Sequence, residues 1–302
     1  MACEGSGILA FDQRYGSVGS IRMIARFRRV GTDLLNRVVH SSAIPVVYFA
    51  RTSNVGDLLN PYMIPKLAGR PIYRARSTLF PHVRAIGSVI GSANRQSYVW
   101  GSGSIDGKVP DRALDPSKVF ALRGKLTRSM LSEACGVSPS VPLGDPAILM
   151  PDFYNPPVEV EHQCGIVPHF EDLELVLNLS RKIAGVKVID VRQKPEDFVT
   201  DLKACRRVIS SSLHGLILSD AYGIPNVRAT FSDKLLGGDF KFSDYYSTTD
   251  CEDAFSCQVI DEDQLRELVA KIERSATVAR SVVSTTDLLD AFSQMHESMP
   301  SG

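Results

Sequence analysis

From Ala43 onward the chain alternates between two periods of hydrophobicity. Short apolar runs of strand length, such as Ile44 to Phe49, Arg84 to Ile90, Tyr98 to Trp100 and Val119 to Leu122, are followed by turns and then by segments of helical spacing. Helices are predicted from about Leu58 to Ala68, where Pro65 should kink or shorten the helix, and from Gly124 to Cys135, ended by Gly136. A second series follows: strands at Gly165 to Phe170, Val186 to Asp190, Arg207 to Ser210 and Asn226 to Ala229. Between them lie helices at Leu173 to Ala184, Glu196 to Ala204 and Leu213 to Tyr222. Gln264 to Arg280 and Asp287 to His296 read as two further helices.

Strand-helix alternation of this kind predicts an α/β fold with parallel, doubly wound sheets and ligands at the C-terminal strand ends. Two Rossmann-like domains facing across a cleft are expected, at residues 43–150 and 151–260, with the proline-rich stretch 139–157 as linker. Residues 261–302 are expected to supply C-terminal helices, one crossing back to the first domain. Residues 1–42 form a basic N-terminal extension. Within it Arg14, Arg22, Arg26, Arg28, Arg29 and Arg37 stand among Ile21, Ile24, Phe27, Val30, Leu34, Leu35 and Val38 at helical spacing. Such a helix either rests on anionic lipid or packs on the domain with its basic face in solvent.

Composition narrows the partners. Lys+Arg and Asp+Glu are 34 each in 302 residues, so no net charge draws the protein to nucleic acid, and any anion site must be local. The six cysteines form no CxxC pair and no zinc-finger spacing, which points to a reducing compartment and predicts no metal site. No apolar run approaches the ~20 residues of a membrane span, and charges interrupt any signal-peptide core, so a cytoplasmic location is expected.

Candidate chemistry sits where strands give way to helices. In Ser53-Asn-Val-Gly-Asp57, Asn54 and Asp57 either project into the cleft or merely close a turn, with Asp57 capping the helix. Arg123, Lys125 and Arg128 bring cations to a helix start, which suits phosphate or carboxylate, or else a solvated basic turn. Asp145 faces a ligand or holds its turn, and His169 ends a strand of the second series. The densest segment runs from Ser210 to Pro225. There Ser211, Ser212 and Gly215 could hold an anion on helix amides, with His214 beside it as acid or base; a capped core histidine is the alternative.

Five stretches in order, SNVGD at 53–57, RGKLTR at 123–128, LGDPAIL at 143–149, VPHFED at 167–172 and SLHGLILSDAYGIPN at 212–226, together resemble the polysaccharide pyruvyl transferase family, nearest its bacterial exopolysaccharide branch. That resemblance implies a fold similar to GT-B glycosyltransferases. It also implies transfer of the pyruvyl group of phosphoenolpyruvate to a sugar, forming a pyruvate ketal and releasing phosphate, with phosphoenolpyruvate as co-substrate and no cofactor. By position, Arg123 matches an arginine that holds the donor and His214 the histidine of proton transfer. Asn54 and Asp57 match polar residues near donor or acceptor, and His169 joins them as an acceptor contact. Asp57 or Asp145 would take the sugar hydroxyl proton. The acceptor implied is a lipid-linked oligosaccharide, which makes peripheral contact with the inner membrane through the basic N-terminus sensible. One position departs from the family: an arginine commonly stands two residues before the histidine, and here it is Ser212. Lys125, Arg128, Arg206, Arg207 and Arg228 are the replacement cations on offer. Two rivals share the cleft: a nucleotide-sugar glycosyltransferase, for which Asp220 or Asp244 would grip ribose, and a catalytically silent glycan-binding relative.

Overall fold

The computed structural model describes residues 14–50, 52–233, 237–251 and 256–300. Two parallel five-stranded sheets form its centre. The first joins β1 (Ile44–Val46), β2 (Ile72–Arg74), β3 (His82–Arg84), β4 (Ser97–Ser102) and β5 (Val119–Leu122) in the order β2-β1-β3-β4-β5. The second joins β6 (Cys164–Val167), β7 (Val186–Val188), β8 (Val208–Ser210), β9 (Asn226–Thr230) and β10 (Ser256–Gln258) in the order β10-β9-β8-β6-β7. Helices α1 (Arg14–Val39), α2 (Val55–Ala68), α3 (Lys125–Cys135) and the single turn α4 (Met150–Phe153) belong to the first half. They are followed by α5 (Leu173–Ser180), α6 (Pro195–Lys203), α7 (Leu213–Ala221), α8 (Phe240–Tyr246), α9 (Glu262–Ser275) and α10 (Thr285–Ser298). This is the α/β architecture that the alternation predicts. The strands β2 and β10 are additions: each is three residues long and neither is fully buried, too little pattern to read from sequence.

Several local expectations change. The run from Arg84 to Ile90 is not one strand; β3 ends at Arg84, and Gly87 turns the chain at φ +118, a conformation that glycine permits. Helix α2 passes through both Pro61 and Pro65. Pro61 has no N–H for the carbonyl of Asp57, and the Asn60 side-chain amide donates to that oxygen instead, at 3.1 Å. The first part of the proline-rich stretch 139–157 packs on the fold. Leu143 bridges to Leu122, a helical turn over Pro146–Leu149 packs on α7, and Pro146, Ala147, Leu149 and Met150 are buried.

The two halves share one core. Buried side chains of α2 and β4 run continuously into those of α6, α7 and α10. Helix α10 lies on β4 and β5, where Trp100 Nε1 donates to the carbonyl of Leu288 at 2.7 Å and the Trp100 ring meets Phe292 edge-on. Val55 N donates to Val191 O at 2.6 Å and Tyr62 Oη to Glu196 at 2.6 Å, so the start of α2 is fastened directly to the second half.

Helix α1 is held by Asp33, whose buried carboxylate accepts the amides of Arg76 and Ser77. Its apolar stripe points the other way: Phe27, Leu34, Leu35, Val38 and Val39 are exposed, Val38 to 79%. Packing of that stripe on the domain is therefore overturned for these residues. The side chains of Arg14, Ile21, Arg22, Ile24 and Arg26 lie outside the described residues. No helix among the described residues is long and apolar enough to cross a membrane.

Candidate active site

A cavity of about 240 Å3 opens where the C-terminal strand ends of both sheets meet. From the first half it is lined by Phe49, Asn54 and Asp57 after β1, Gly87 to Val89 after β3, and Ile105 after β4. From the second half come His169, Phe170 and Glu171 after β6, Ser212, Leu213 and His214 after β8, and Lys241 at the start of α8. Parallel strands place loops of distant sequence at one edge, which is why motifs more than a hundred residues apart converge.

On the first wall, Asn54 caps α2 by accepting the amide of Gly56 at 3.0 Å. Asp57 is thereby released from the capping role and lies within the cavity, its Oδ1 accepting the amide of Phe49 at 2.9 Å. Burial pushes the Asp57 carboxyl up to about 7, against the opposing effects of the Phe49 amide and Arg74.

The second wall carries the opposite kind of group. His214 sits in the first turn of α7, nearly buried, with its ring pressed on Gly56; any side chain there would overlap the imidazole. Its Nε2 has no hydrogen-bond partner among the described residues and lies 3.7 Å from Asp145 Oδ2, itself unpartnered. Burial lowers the His214 pKa, Asp145 opposes that, and Arg123 and Lys241 add to it. His169 is lowered by burial and by Lys241, while Glu171 and Asp172 oppose.

Six expected site residues do not reach the cavity. Arg123 is fully buried beneath it: Nε donates to Asp244 at 2.9 Å, Nη1 to Ser88 Oγ at 2.7 Å and Nη2 to Ser104 O at 2.6 Å. Gly103 and Gly124 leave room for this pair, since a Cβ at either would strike Arg123 or Asp244. The guanidinium is thus a fixed ion pair supporting Ser88, not an open clamp. Lys125 is exposed, and its backbone amide bonds Ser247. Arg128 turns away to Val141 O at 3.3 Å. Asp145 has a fully buried side chain that caps its own turn through Ala147 N at 3.0 Å, so it faces His214 and not a sugar. Of the serine run, Ser212 lines the cavity, whereas Ser211 Oγ accepts the amide of His169 at 2.8 Å and so shapes the opposing loop. Gly215 allows α7 to pack closely on Ser210 and Val167 and has no place in the cavity lining. Among the other cations, Arg207 pairs with Glu273, Arg206 is exposed ahead of β8, and Arg228 pairs with Asp239 over the Phe242 ring.

The cation that does line the cavity is Lys241, which motif reading missed. It lies between Phe240 and Phe242 in a segment with no strand-to-turn signature, and only the fold brings it opposite His169 and His214. Asp220 and Asp244 are also accounted for. Asp220 accepts Asn226, Tyr245 and the Ala279 amide, and Asp244 accepts Arg123 and Thr127, so neither is available to grip a ribose.

Comparison with known proteins gives this arrangement a context. The sequence profile of the family described as "Polysaccharide pyruvyl transferase" matches residues 91–229. The uncharacterized protein L143 of Acanthamoeba polyphaga mimivirus is 30% identical over 218 residues, 69% of this chain and 75% of that one. The succinoglycan biosynthesis protein ExoV of Rhizobium meliloti is 27% identical over 218 residues, 68% of this chain and 64% of that one. The chain belongs to the polysaccharide pyruvyl transferase family. Within that family it is similar to the exopolysaccharide branch, and its two parallel sheets give the family's motifs a shared edge. A solved UDP-GlcNAc 2-epimerase of Methanocaldococcus jannaschii overlaps 88% of this chain and 78% of its own, at TM-score 0.44 and 10% identity.

Proposed function

We propose that the protein transfers the pyruvyl group of phosphoenolpyruvate to two hydroxyls of a sugar, in a glycan built as an exopolysaccharide repeat unit, with release of phosphate. The observation that carries this reading is the facing of Asp57 and His214 across one cavity, an acid group on one wall and a base on the other, both displaced from their ordinary pKa by burial.

Ketal formation needs both. A proton added to the methylene carbon of phosphoenolpyruvate makes the methyl group and leaves positive charge on the adjacent carbon. One sugar hydroxyl attacks that carbon and loses its proton. The carbon–oxygen bond to phosphate then breaks, and a second hydroxyl takes its place and loses the second proton. His214 delivers the first proton. Its charged form is suppressed by burial, Arg123 and Lys241; a bound anionic donor counters these effects and favours the imidazolium. Asp145, at 3.7 Å from Nε2, helps hold that charge. Asp57, with a pKa near 7, accepts a hydroxyl proton and can return it to the departing phosphate. The first residues of α7 line the same space, and the amides of its uncapped start suit a phosphate.

The acceptor is proposed to be lipid-linked. The outward stripe of Phe27, Leu34, Leu35, Val38 and Val39, flanked by exposed Arg28 and Arg29, suits a helix lying in an anionic membrane surface. The cavity mouth would then work on a sugar held at that surface, from the cytoplasmic side.

The test supplies phosphoenolpyruvate, and separately UDP- and GDP-sugars, with a panel of glycosides as acceptors, and follows acid-labile pyruvate in the sugar fraction together with inorganic phosphate. Equal amounts of both products are expected. Intact phosphoenolpyruvate alongside glycosyl transfer from a nucleotide sugar would replace this reading with the glycosyltransferase one.

A further inference from the structure

Lys241 is a buried cation without a counter-charge of its own. Its residue is 9% exposed, it lines the cavity, and its ammonium has no hydrogen bond or ion pair among the described residues. The ammonium stands 5.2 Å from the Phe242 ring centre, Arg123 and Arg228 are the charged groups that act on it, and the carboxylates Asp57 and Glu171 of the same cavity form no ion pair with it. The carboxylates near those arginines are already engaged, Asp244 by Arg123 and Asp239 by Arg228. The side chain is buried but its ammonium reaches the cavity unpaired, so this arrangement suits an anion brought from outside.

A second observation, independent of the lysine, points to the same place. Helix α7 begins at Ser212 with no side chain capping it, and its first residues, Leu213 and His214, line the cavity. Uncapped first-turn amides and the positive end of a nine-residue helix favour an anion. Of the exposed or paired alternatives, Lys125, Arg128, Arg206, Arg207 and Arg228, none lines this cavity.

We propose that Lys241 and the amino end of α7 form the phosphate-binding subsite of the donor, with Lys241 taking the place of the cation missing at Ser212. This assignment rests on the phosphoenolpyruvate reading for the identity of the donor, but the subsite itself is for a phosphate group. Arg123 becomes a positioning residue, which fixes Ser88 and adds field from below. The lysine also links donor and acid: it is one of the groups that suppress the charge of both His214 and His169, and pairing with phosphate removes that suppression.

Calorimetric titration with phosphoenolpyruvate and with inorganic phosphate tests this in the full chain, in K241M, in K241R and in the surface control K271M. K241M is expected to weaken both ligands by about tenfold or more, as for loss of a charged hydrogen-bond partner, with K241R recovering most of it and K271M unchanged. Burial brings the Lys241 ammonium down to about 8, so wild-type affinity should fall between about pH 7 and pH 9 as the cation is lost, and much less in K241R, which stays charged. Unchanged affinity in a folded K241M, or the same pH response in K241R as in wild type, would overturn the subsite. Binding of phosphate but not phosphoenolpyruvate by the wild type, lost in K241M, would uphold the subsite and overturn the donor. Binding of neither would overturn both.

Discussion

The two walls of the cavity are made by the same device, a turn following a parallel strand, yet they present opposite chemistry. The wall after β1 and β3 offers amides, a serine and one carboxyl whose proton is retained to about pH 7. The wall from the second half offers two imidazoles after β6 and β8 and a lysine at the start of α8, all with their charged forms disfavoured, beside Glu171. Burial is the largest cause on both sides. The difference lies in what burial does to each group: it disfavours the charged carboxylate of Asp57 and the imidazolium of both histidines, while Lys241, brought down to about 8, stays cationic near pH 7. In the proposed reaction an anionic donor binds the second wall and restores charge to it. In that same proposed reaction the neutral sugar is left to the first wall.

Breaking the second wall should have the largest effect. H214A is expected to lower kcat by about 10²–10⁴-fold, the range for loss of a general acid, with the circular dichroism spectrum and melting temperature close to wild type. D57N, on the first wall, should lower kcat by about 10²-fold with little change in the affinity for phosphoenolpyruvate, because the acceptor side alone is damaged. A drop in donor affinity instead would merge the two walls into one binding surface.

Arg123 sharpens the comparison from beneath. R123M strands the fully buried Asp244, and the expected result is a loss of about 3–5 kcal/mol in denaturant unfolding, before any effect on donor affinity. A stable R123M that fails only to bind phosphoenolpyruvate would return Arg123 to the role of clamp. A smaller signal comes from protons. At about pH 7, donor binding should take up protons, visible as a calorimetric enthalpy that changes with the ionisation enthalpy of the buffer, since the fold holds His214 below its ordinary value and the anion raises it. H214N should take up fewer. At the outer edge, L35D is expected to weaken sedimentation with anionic vesicles while leaving turnover on a soluble acceptor unchanged.

The walls were unequally legible in the sequence. Asn54, Asp57, His169, Ser212 and His214 stand directly after apolar runs, so strand-helix alternation alone places them at one edge, and they do meet. Arg123 follows β5 in the same way, but the same logic misjudged it, because Asp244 arrives from 121 positions along the chain and closes on its guanidinium. Asp145 shared that fate through the packing of its turn on α7. Lys241 was hidden for the converse reason: its short helix lies between β9 and β10, and nothing local distinguishes a cavity lysine from a surface one. Pattern reports which end of a strand a residue occupies. Whether its charge is already neutralised depends on long-range partners that no period encodes. The apolar stripe of α1 was visible as a stripe, but its direction was set by Asp33 anchoring the opposite face.

The most direct measurement is thermal unfolding of the purified protein with phosphoenolpyruvate and, in parallel, with UDP and GDP. A ligand present at a hundred times its dissociation constant stabilises the folded state by about 2.7 kcal/mol, well within reach of a melting experiment. The account predicts a raised melting temperature with phosphoenolpyruvate and none with either nucleotide. A rise with a nucleotide and no response to phosphoenolpyruvate would contradict it.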